Sequence, residues 1–492
     1  MRRSKIMSAE EAVSCIRSGQ TLAVGGAGGV QEPDLLIDAL VARYRKESEP
    51  RGITEFHPIR CGEVVGRGTS QFAVPGLVSR MIGGSFWPVG ETQLVQRIID
   101  NEMEAYNLPI GVMYAMLEAA AARRPGVLTT VGLGTCMDPL QDGGALNAVS
   151  REPYVQRMTV GDETYLFYRA VPVDVAFIRG SVADAQGNLS MRAEPADCGS
   201  LLLAQAARAN GGKVIAQVKE IVPEGSLHPR EVRVPGTLVD AVVVHPGQMQ
   251  TTHVEFDPTL VGDARLSYDS VPKVADPVKR RVLARALAQA PDGAVAALGF
   301  GLPGYLPAYA LECGRFDALT FTVEHGLVGG INGYAAGGRT FPVAHNPRAI
   351  IDAADQLRLY AGGGVDIAYL GMGEVDSAGN VNVSRFGVRI PGSGGFIEIT
   401  QGIRRIVFCS MLGEKGHRKF VPKVQQITFS AEQALRRGQE VLYITEQAVF
   451  ALTGHGLTLR ELAPGVDLEA DILARIGANV HIPAEGVRPW SA

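Results

Sequence analysis

The chain has 492 residues, enough for two large domains or three smaller ones, and its 46% apolar and 20% charged composition is that of a folded protein and not of a disordered one. Its 47 basic and 51 acidic residues leave a net charge of −4, which excludes the basic footprint of a nucleic-acid or anionic-membrane binder. Glycine is the outlier, with 59 residues where average usage is about 7% and with no triplet period, so many close backbone approaches are required.

The N-terminus is basic, but Ser8, Glu10 and Glu11 stand where the apolar core of a secretory signal would run, so export is not expected. Ser8 followed by Glu11 reads as a capping box opening a helix through about Arg17, closed by Gly19. A strand over Thr21–Val24 runs into Gly25-Gly26-Ala27-Gly28-Gly29, and after Pro33 the spacing of Leu35, Leu36, Ala39 and Leu40 predicts a helix. The same order returns from Lys279: a helix with Val282, Leu283, Ala286 and Leu287, a Pro291-Asp292-Gly293 turn, a strand over 294–298, and a second glycine loop, Gly299-Phe300-Gly301-Leu302-Pro303.

A second echo supports internal duplication. Val182-Ala183-Asp184-Ala185-Gln186-Gly187-Asn188 resembles Val375-Asp376-Ser377-Ala378-Gly379-Asn380, each after an apolar strand (173–178 and 365–370), and Gly-Asn suits the left-handed positions of a hairpin turn. The first half carries roughly 80 more residues between these landmarks, including Gly83-Gly84-Ser85-Phe86-Trp87 through Gly143-Gly144. The predicted class is α/β, with two related lobes, each an open, mostly parallel sheet flanked by helices: residues 1–248, a linker over 249–275, and residues 276–492. The longest uncharged stretch, 293–311, is interrupted by Gly299, Gly301, Pro303, Gly304 and Pro307, so no membrane span is expected. Cysteines 15, 61, 136, 198, 313 and 409 include no C-x-x-C pair, which fits a reducing, cytoplasmic setting.

In Leu319-Thr320-Phe321-Thr322-Val323-Glu324-His325-Gly326 a β-branched and aromatic run ends in a carboxylate, placing Glu324 at the carboxyl end of a strand, where α/β proteins bind ligands. A base, a metal ligand and a nucleophile are all open to such a group. Gly392-Ser393-Gly394-Gly395-Phe396 can present consecutive backbone N–H groups to an anion. Neither strand-end glycine loop completes a G-x-G-x-x-G fingerprint with its acidic partner, so a nicotinamide dehydrogenase rests on the loops alone; no phosphate-binding P-loop, H-E-x-x-H or G-x-S-x-G is present, and no metal is expected. The cluster Lys415, His417, Arg418 and Lys419 reads as a solvated face.

Taken together, Glu324-His325-Gly326 with Gly329-Gly330, the loop at 299–303, Asp376 with Gly379-Asn380-Val381-Asn382, and Gly392-Ser393-Gly394-Gly395-Phe396 resemble the C-terminal half of family I coenzyme A transferases. Tyr106-Asn107-Leu108-Pro109, Gly132-Leu133-Gly134-Thr135 with Asp138-Pro139, and Arg179-Gly180 match its N-terminal half, so the chain is similar to the fused acetate/acetoacetate and propionate CoA transferases. Ser85 stands where those enzymes usually carry a histidine, Cys136 where an aromatic is common and Ala297 where an asparagine is frequent. The resemblance implies that Glu324 is the nucleophile and forms a glutamyl-CoA thioester, and that Gly394 or Gly395 supplies the oxyanion N–H. Gly299, Phe300, Gly301, Leu302, Pro303 and Asn382 would contact CoA, which enters as substrate with no permanently bound cofactor. Acyl-CoA and small carboxylic acids are the implied partners, and a homodimer or homotetramer the implied assembly. Rival readings are an acyl-CoA hydrolase on the same scaffold and a non-catalytic CoA or metabolite binder.

Overall fold

Each half of the chain builds the same five-stranded parallel ribbon. In the computed structural model, which describes residues 4–86, 93–413 and 419–490, strands Ala241–Val244, Lys213–Val218, Val175–Arg179, Thr21–Val24 and Ile53–His57 lie side by side in that order. Strands Glu440–Ile444, Arg405–Cys409, Ile367–Gly371, Val295–Leu298 and Thr320–Val323 repeat the order in the second half. Every neighbouring pair within each five is parallel. Such strands are covered on both faces and read as continuous apolar runs, as in the wholly buried Val175–Arg179.

The two aspartate turns are duplicated hydrogen bond by hydrogen bond. Asp184 accepts the amides of Gln186 and Asn188 at 2.9 and 3.0 Å and the Asn188 side chain at 2.8 Å. Asp376 accepts the amides of Ala378 and Asn380 at 3.1 and 2.9 Å and the Asn380 side chain at 3.1 Å. Gly187 and Gly379 take φ of 82° and 90°, which explains the glycine before each asparagine.

Beyond the shared ribbon the halves diverge. Parallel strands Val78–Gly83 and Glu104–Asn107 extend the first sheet to seven, and a three-stranded antiparallel sheet of Gly126–Thr129, Glu163–Arg169 and Val155–Val160 accounts for more of the extra length. The second sheet reaches ten strands through two two-residue strands at one edge and, at the other, the antiparallel strands Ala448–Thr453 and Gly456–Leu462 followed by a last short one. Residues 249–275 contain two short helical turns, Pro258–Leu260 and Tyr268–Ser270. The halves share one core: Ile110, Met113 and Leu117 belong to the same buried cluster as Leu357 and Ile397.

The expected local elements form, with one difference. The Ser8–Glu11 capping box is closed in both directions, but its helix is Ala9–Val13 and stops short of Arg17, because the Ser14 hydroxyl turns back onto the Glu11 carbonyl at 2.6 Å. Helices Asp34–Glu47 and Pro277–Leu287 follow the predicted apolar spacing. Trp87, Lys415, His417 and Arg418 lie outside the described residues. Among the described residues no helix is long and apolar enough to cross a membrane, and all six cysteines are free.

Candidate active site

Strand Thr320–Val323 pairs in parallel with Val295–Leu298, Val323 opposite Leu298. The residues that follow, Glu324 and the glycine loop from Gly299, therefore leave the sheet side by side at its carboxyl edge. A third segment closes on them. Gly395 caps helix Phe396–Gly402, and a Cβ placed on it would stand 2.1 Å from Glu324 Oε2. Only a glycine lets the carboxylate rest against this backbone. Burial pushes the Glu324 carboxyl up to about 7 from its ordinary 4.5, while the Gly395 amide pulls it back in part.

The first half supplies the opposing wall and fixes the glycine segment by its backbone. Asn107 accepts the Ser393 amide at 2.8 Å and donates to the carbonyls of Gly83 and Gly84 at 3.0 and 2.9 Å. The Phe86 amide donates to the Pro391 carbonyl at 2.7 Å, and the Ile110 amide to the Gly394 carbonyl at 3.3 Å. Behind this seam the buried His57 bridges Glu55 Oε2 at 2.7 Å and the Ser85 carbonyl at 2.9 Å. A carbonyl can only accept, so His57 Nε2 carries a proton and the imidazole acts as a brace for the Gly83-Gly84-Ser85 loop.

Between the halves lies a cavity of about 510 Å³ lined by Glu324, Ser85, Gly394, Gly395 and most of the second glycine loop. Gly299, Phe300, Gly301 and Leu302 line it. Three expectations need correction. Gly394 donates its amide to the Gly84 carbonyl at 2.9 Å, so its N–H is engaged and Gly395 is left as the donor beside Glu324. Asn382 is fully buried and occupied: it donates to Glu374 at 2.7 Å and to the Arg385 carbonyl at 2.6 Å, and accepts from the Ser384 amide at 3.1 Å. It shapes its own loop and does not line the cavity. Pro303 is buried in the helical turn Leu302–Tyr305, behind the lining residues.

His325 lines the cavity with its Nδ1 buried and without a partner, and burial pushes the ring down to about 3, so it is neutral at physiological pH. Among the described residues no group of three or more His, Cys, Asp or Glu is placed to hold a metal ion. Sequence reasoning missed two carboxyls, Glu398, which is buried, and Glu63, which is half-buried. Glu398 stands one turn beyond Gly395 and accepts the Val112 amide at 3.0 Å. Glu63 lines the cavity from the first half and accepts from Thr340 Oγ1 of the second at 3.0 Å. For Asn107 the only sequence signal is its place in the Tyr106-Asn107-Leu108-Pro109 motif.

This arrangement has counterparts among known proteins. The coenzyme A transferase family profile matches residues 6–245. Acetate CoA-transferase YdiF of Escherichia coli K12 is 39% identical, with 98% of this chain and 94% of that protein aligned. Caffeate CoA-transferase of Acetobacterium woodii is 34% identical over 98% of this chain and 96% of its own. Two crystal structures of the acyl-CoA transferase YdiF from E. coli O157:H7, the apoenzyme and a thioester complex with CoA, superpose with TM-scores of 0.93 and 0.92 at 37% identity, covering 99% of this chain and 95% of theirs. The fold, the full-length alignment and the ordered glycine segments agree, and the chain belongs to the coenzyme A transferase family.

Proposed function

We propose that this protein moves coenzyme A from an acyl-CoA to a free carboxylic acid in two half-reactions, through a thioester between Glu324 and CoA. The observation that carries the reading is the contact of the Glu324 carboxylate with the Gly395 backbone inside the cavity between the halves. In the first half-reaction the carboxylate attacks the thioester carbonyl, giving an acyl-glutamyl anhydride and CoA thiolate. The thiolate attacks the glutamyl carbonyl, the first acid leaves as its carboxylate, and glutamyl-CoA remains. A second carboxylate then attacks glutamyl-CoA, and the released thiolate takes the new acyl group and frees Glu324. Each thioester cleaved is matched by one formed, so no nucleotide is hydrolysed.

Each attack builds negative charge on a carbonyl oxygen, and one preorganised donor such as the Gly395 amide contributes about 2.7–4 kcal/mol to such a transition state. Binding energy from the remote parts of CoA can offset the desolvation of bringing two carboxylates together. The thioester complex recorded for the 37% identical YdiF supports the intermediate. In this reading CoA is substrate, no cofactor is permanently bound, the acid partners are small carboxylic acids, and the enzyme works in the cytoplasm as a homodimer or homotetramer. Incubation with acyl-CoA alone is expected to raise the protein mass by that of CoA less one water, at the peptide containing Glu324. Glu324→Ala is expected to lose the adduct and the exchange; an active Glu324→Ala would overturn the proposal, and thioester loss without an acceptor acid would replace it by hydrolysis.

A further inference from the structure

The cavity has a second acidic wall. Glu63 lines it, with Oε2 held by Thr340 Oγ1 at 3.0 Å, and the backbone of Gly29 lies so close that a Cβ there would stand 2.4 Å from Oε2. His253 Nε2 is 3.5 Å from the same oxygen. Next to Thr340 in the chain, Phe341 packs with Phe300 and Tyr334 in a triangle of rings whose centroids are 5.6, 5.4 and 5.6 Å apart, all three lining the cavity. Phe300 is 46% exposed, an unusual surface for a phenylalanine, and it faces a cavity whose walls are largely apolar.

Two cations also line the space, and both are engaged. Arg60 donates to the Phe86 carbonyl at 3.0 Å and Thr69 Oγ1 at 3.3 Å as well as to Ser70, and Lys419 donates to Ser410 Oγ at 2.7 Å. Lys419 suits the phosphates of CoA, whereas a carboxylate wall repels them. A carboxylate at Glu63 therefore disfavours the nucleotide end beside it. An acid whose carboxylate meets Glu324 and whose tail extends along the rings would bring that tail toward Glu63.

We infer that Glu63 and the ring triangle Phe300, Tyr334 and Phe341 select the acid substrate, admitting monocarboxylic acids with uncharged apolar or aryl tails and rejecting acids that carry a second carboxylate. This rests on the CoA-transfer reading above. The selection is by a repulsive element as well as by fit. Burial pushes Glu63 up to about 7, the Thr340 hydroxyl pulls it back in part and the charge of Glu32 adds to the push, so the repulsion is greatest above neutrality; His253, Tyr334, Arg60 and Lys419 are the other titratable groups around it or along the same cavity.

The test compares acceptors at about pH 8 with the full-length enzyme preloaded as the CoA adduct. Succinate and its monoamide isostere succinamate, which keeps the reacting carboxylate and is uncharged at the distal end, are offered to the wild type, and the ratio of their kcat/KM values is read; succinamate is expected to be preferred at least tenfold. In Glu63→Gln the succinate-to-succinamate ratio is expected to rise at least tenfold, a ratio within one enzyme that a general loss of activity does not alter. Equal use of the two acids by the wild type, or an unchanged ratio in the variant, would overturn the inference while leaving CoA transfer intact. Failure of the wild type to form the adduct would overturn CoA transfer itself, and this inference with it.

Discussion

Glu324 and Gly395 touch in a way that admits no side chain: a methyl group on Gly395 would stand 2.1 Å from Oε2 and 3.2 Å from Cδ of the glutamate. Gly395 has φ of −85°, open to any residue, so Gly395→Ala imposes no backbone strain and acts through this contact and a lesser one with Leu357 Cδ2 at 3.0 Å. The substitution is expected to push the carboxylate away from its donor and to lower the rate of adduct formation by about 10²–10³, the usual cost of losing one such donor. Rapid-quench mass spectrometry of the CoA adduct, or release of the first carboxylic acid, measures this directly; a wild-type rate would separate Gly395 from the chemistry.

The raised Glu324 carboxyl makes a pH prediction with a definite sign. The nucleophile is the ionised form, and burial holds its proton on up to about 7. Adduct formation should therefore climb about tenfold per pH unit on the acid side and level off above neutrality. The carboxyl of free Glu, near 4.5, would instead give a flat profile from about pH 5.5 upward. Single-turnover rates across this range distinguish the two.

Asn107 is the clasp between the halves, 2% exposed and hydrogen-bonded through both side-chain atoms to Ser393, Gly83 and Gly84. Asn107→Ala leaves the Ser393 amide to find another acceptor, at a cost of about 1–3 kcal/mol where none is found, while the Gly83 and Gly84 carbonyls keep the amides of Leu108 and Gly394. Because the clasp sets the position of residues 393–395, kcat should fall more than KM rises. Asn107→Asp keeps the acceptor for the Ser393 amide but sets a charge against two carbonyls, and should not rescue activity. A loss of melting temperature with unaltered kcat would make Asn107 purely structural.

What the sequence discloses follows the range over which each signal acts. Glu324 and the loop at 299–303 are legible because a β-branched strand, its last polar residue and the glycine turn are local features, and parallel pairing then sets their ends together. The duplicated Asp-x-x-Gly-Asn turns are legible for the same reason, every hydrogen bond spanning four residues or fewer. Gly394 is misread as a donor because its partner, Gly84, comes from the other half of the chain, and Asn382 because its bonds to Glu374 and Arg385 use up its donors. Asn107 and Glu398 stand out only in three dimensions: each bonds a residue 286 positions away.

Glu398 yields the last prediction. It is 1% exposed, with Oε1 accepting the Val112 amide at 3.0 Å in the first turn of helix Ile110–Ala121 and Oε2 buried without a partner. Burial pushes its carboxyl up to about 7 despite the backbone amides that pull it down, and the charge of Glu324 pushes the same way. The folded protein thus keeps a proton that the unfolded chain releases near 4.5, so this site loses native-state stability as the pH rises between those values and has lost it fully above about 7. Holding the carboxyl at about 7 in place of 4.5 corresponds to about 3 kcal/mol at most. Glu398→Gln retains an acceptor for Val112 and never ionises. Its neutral amide resembles the protonated acid, so near pH 5 the variant and wild type should melt at similar temperatures. At pH 8 the variant should melt a few degrees higher, the gap opening as wild-type Glu398 is forced to ionise. A gap that is the same at both pH values would show that Glu398 is not linked to folding through its proton.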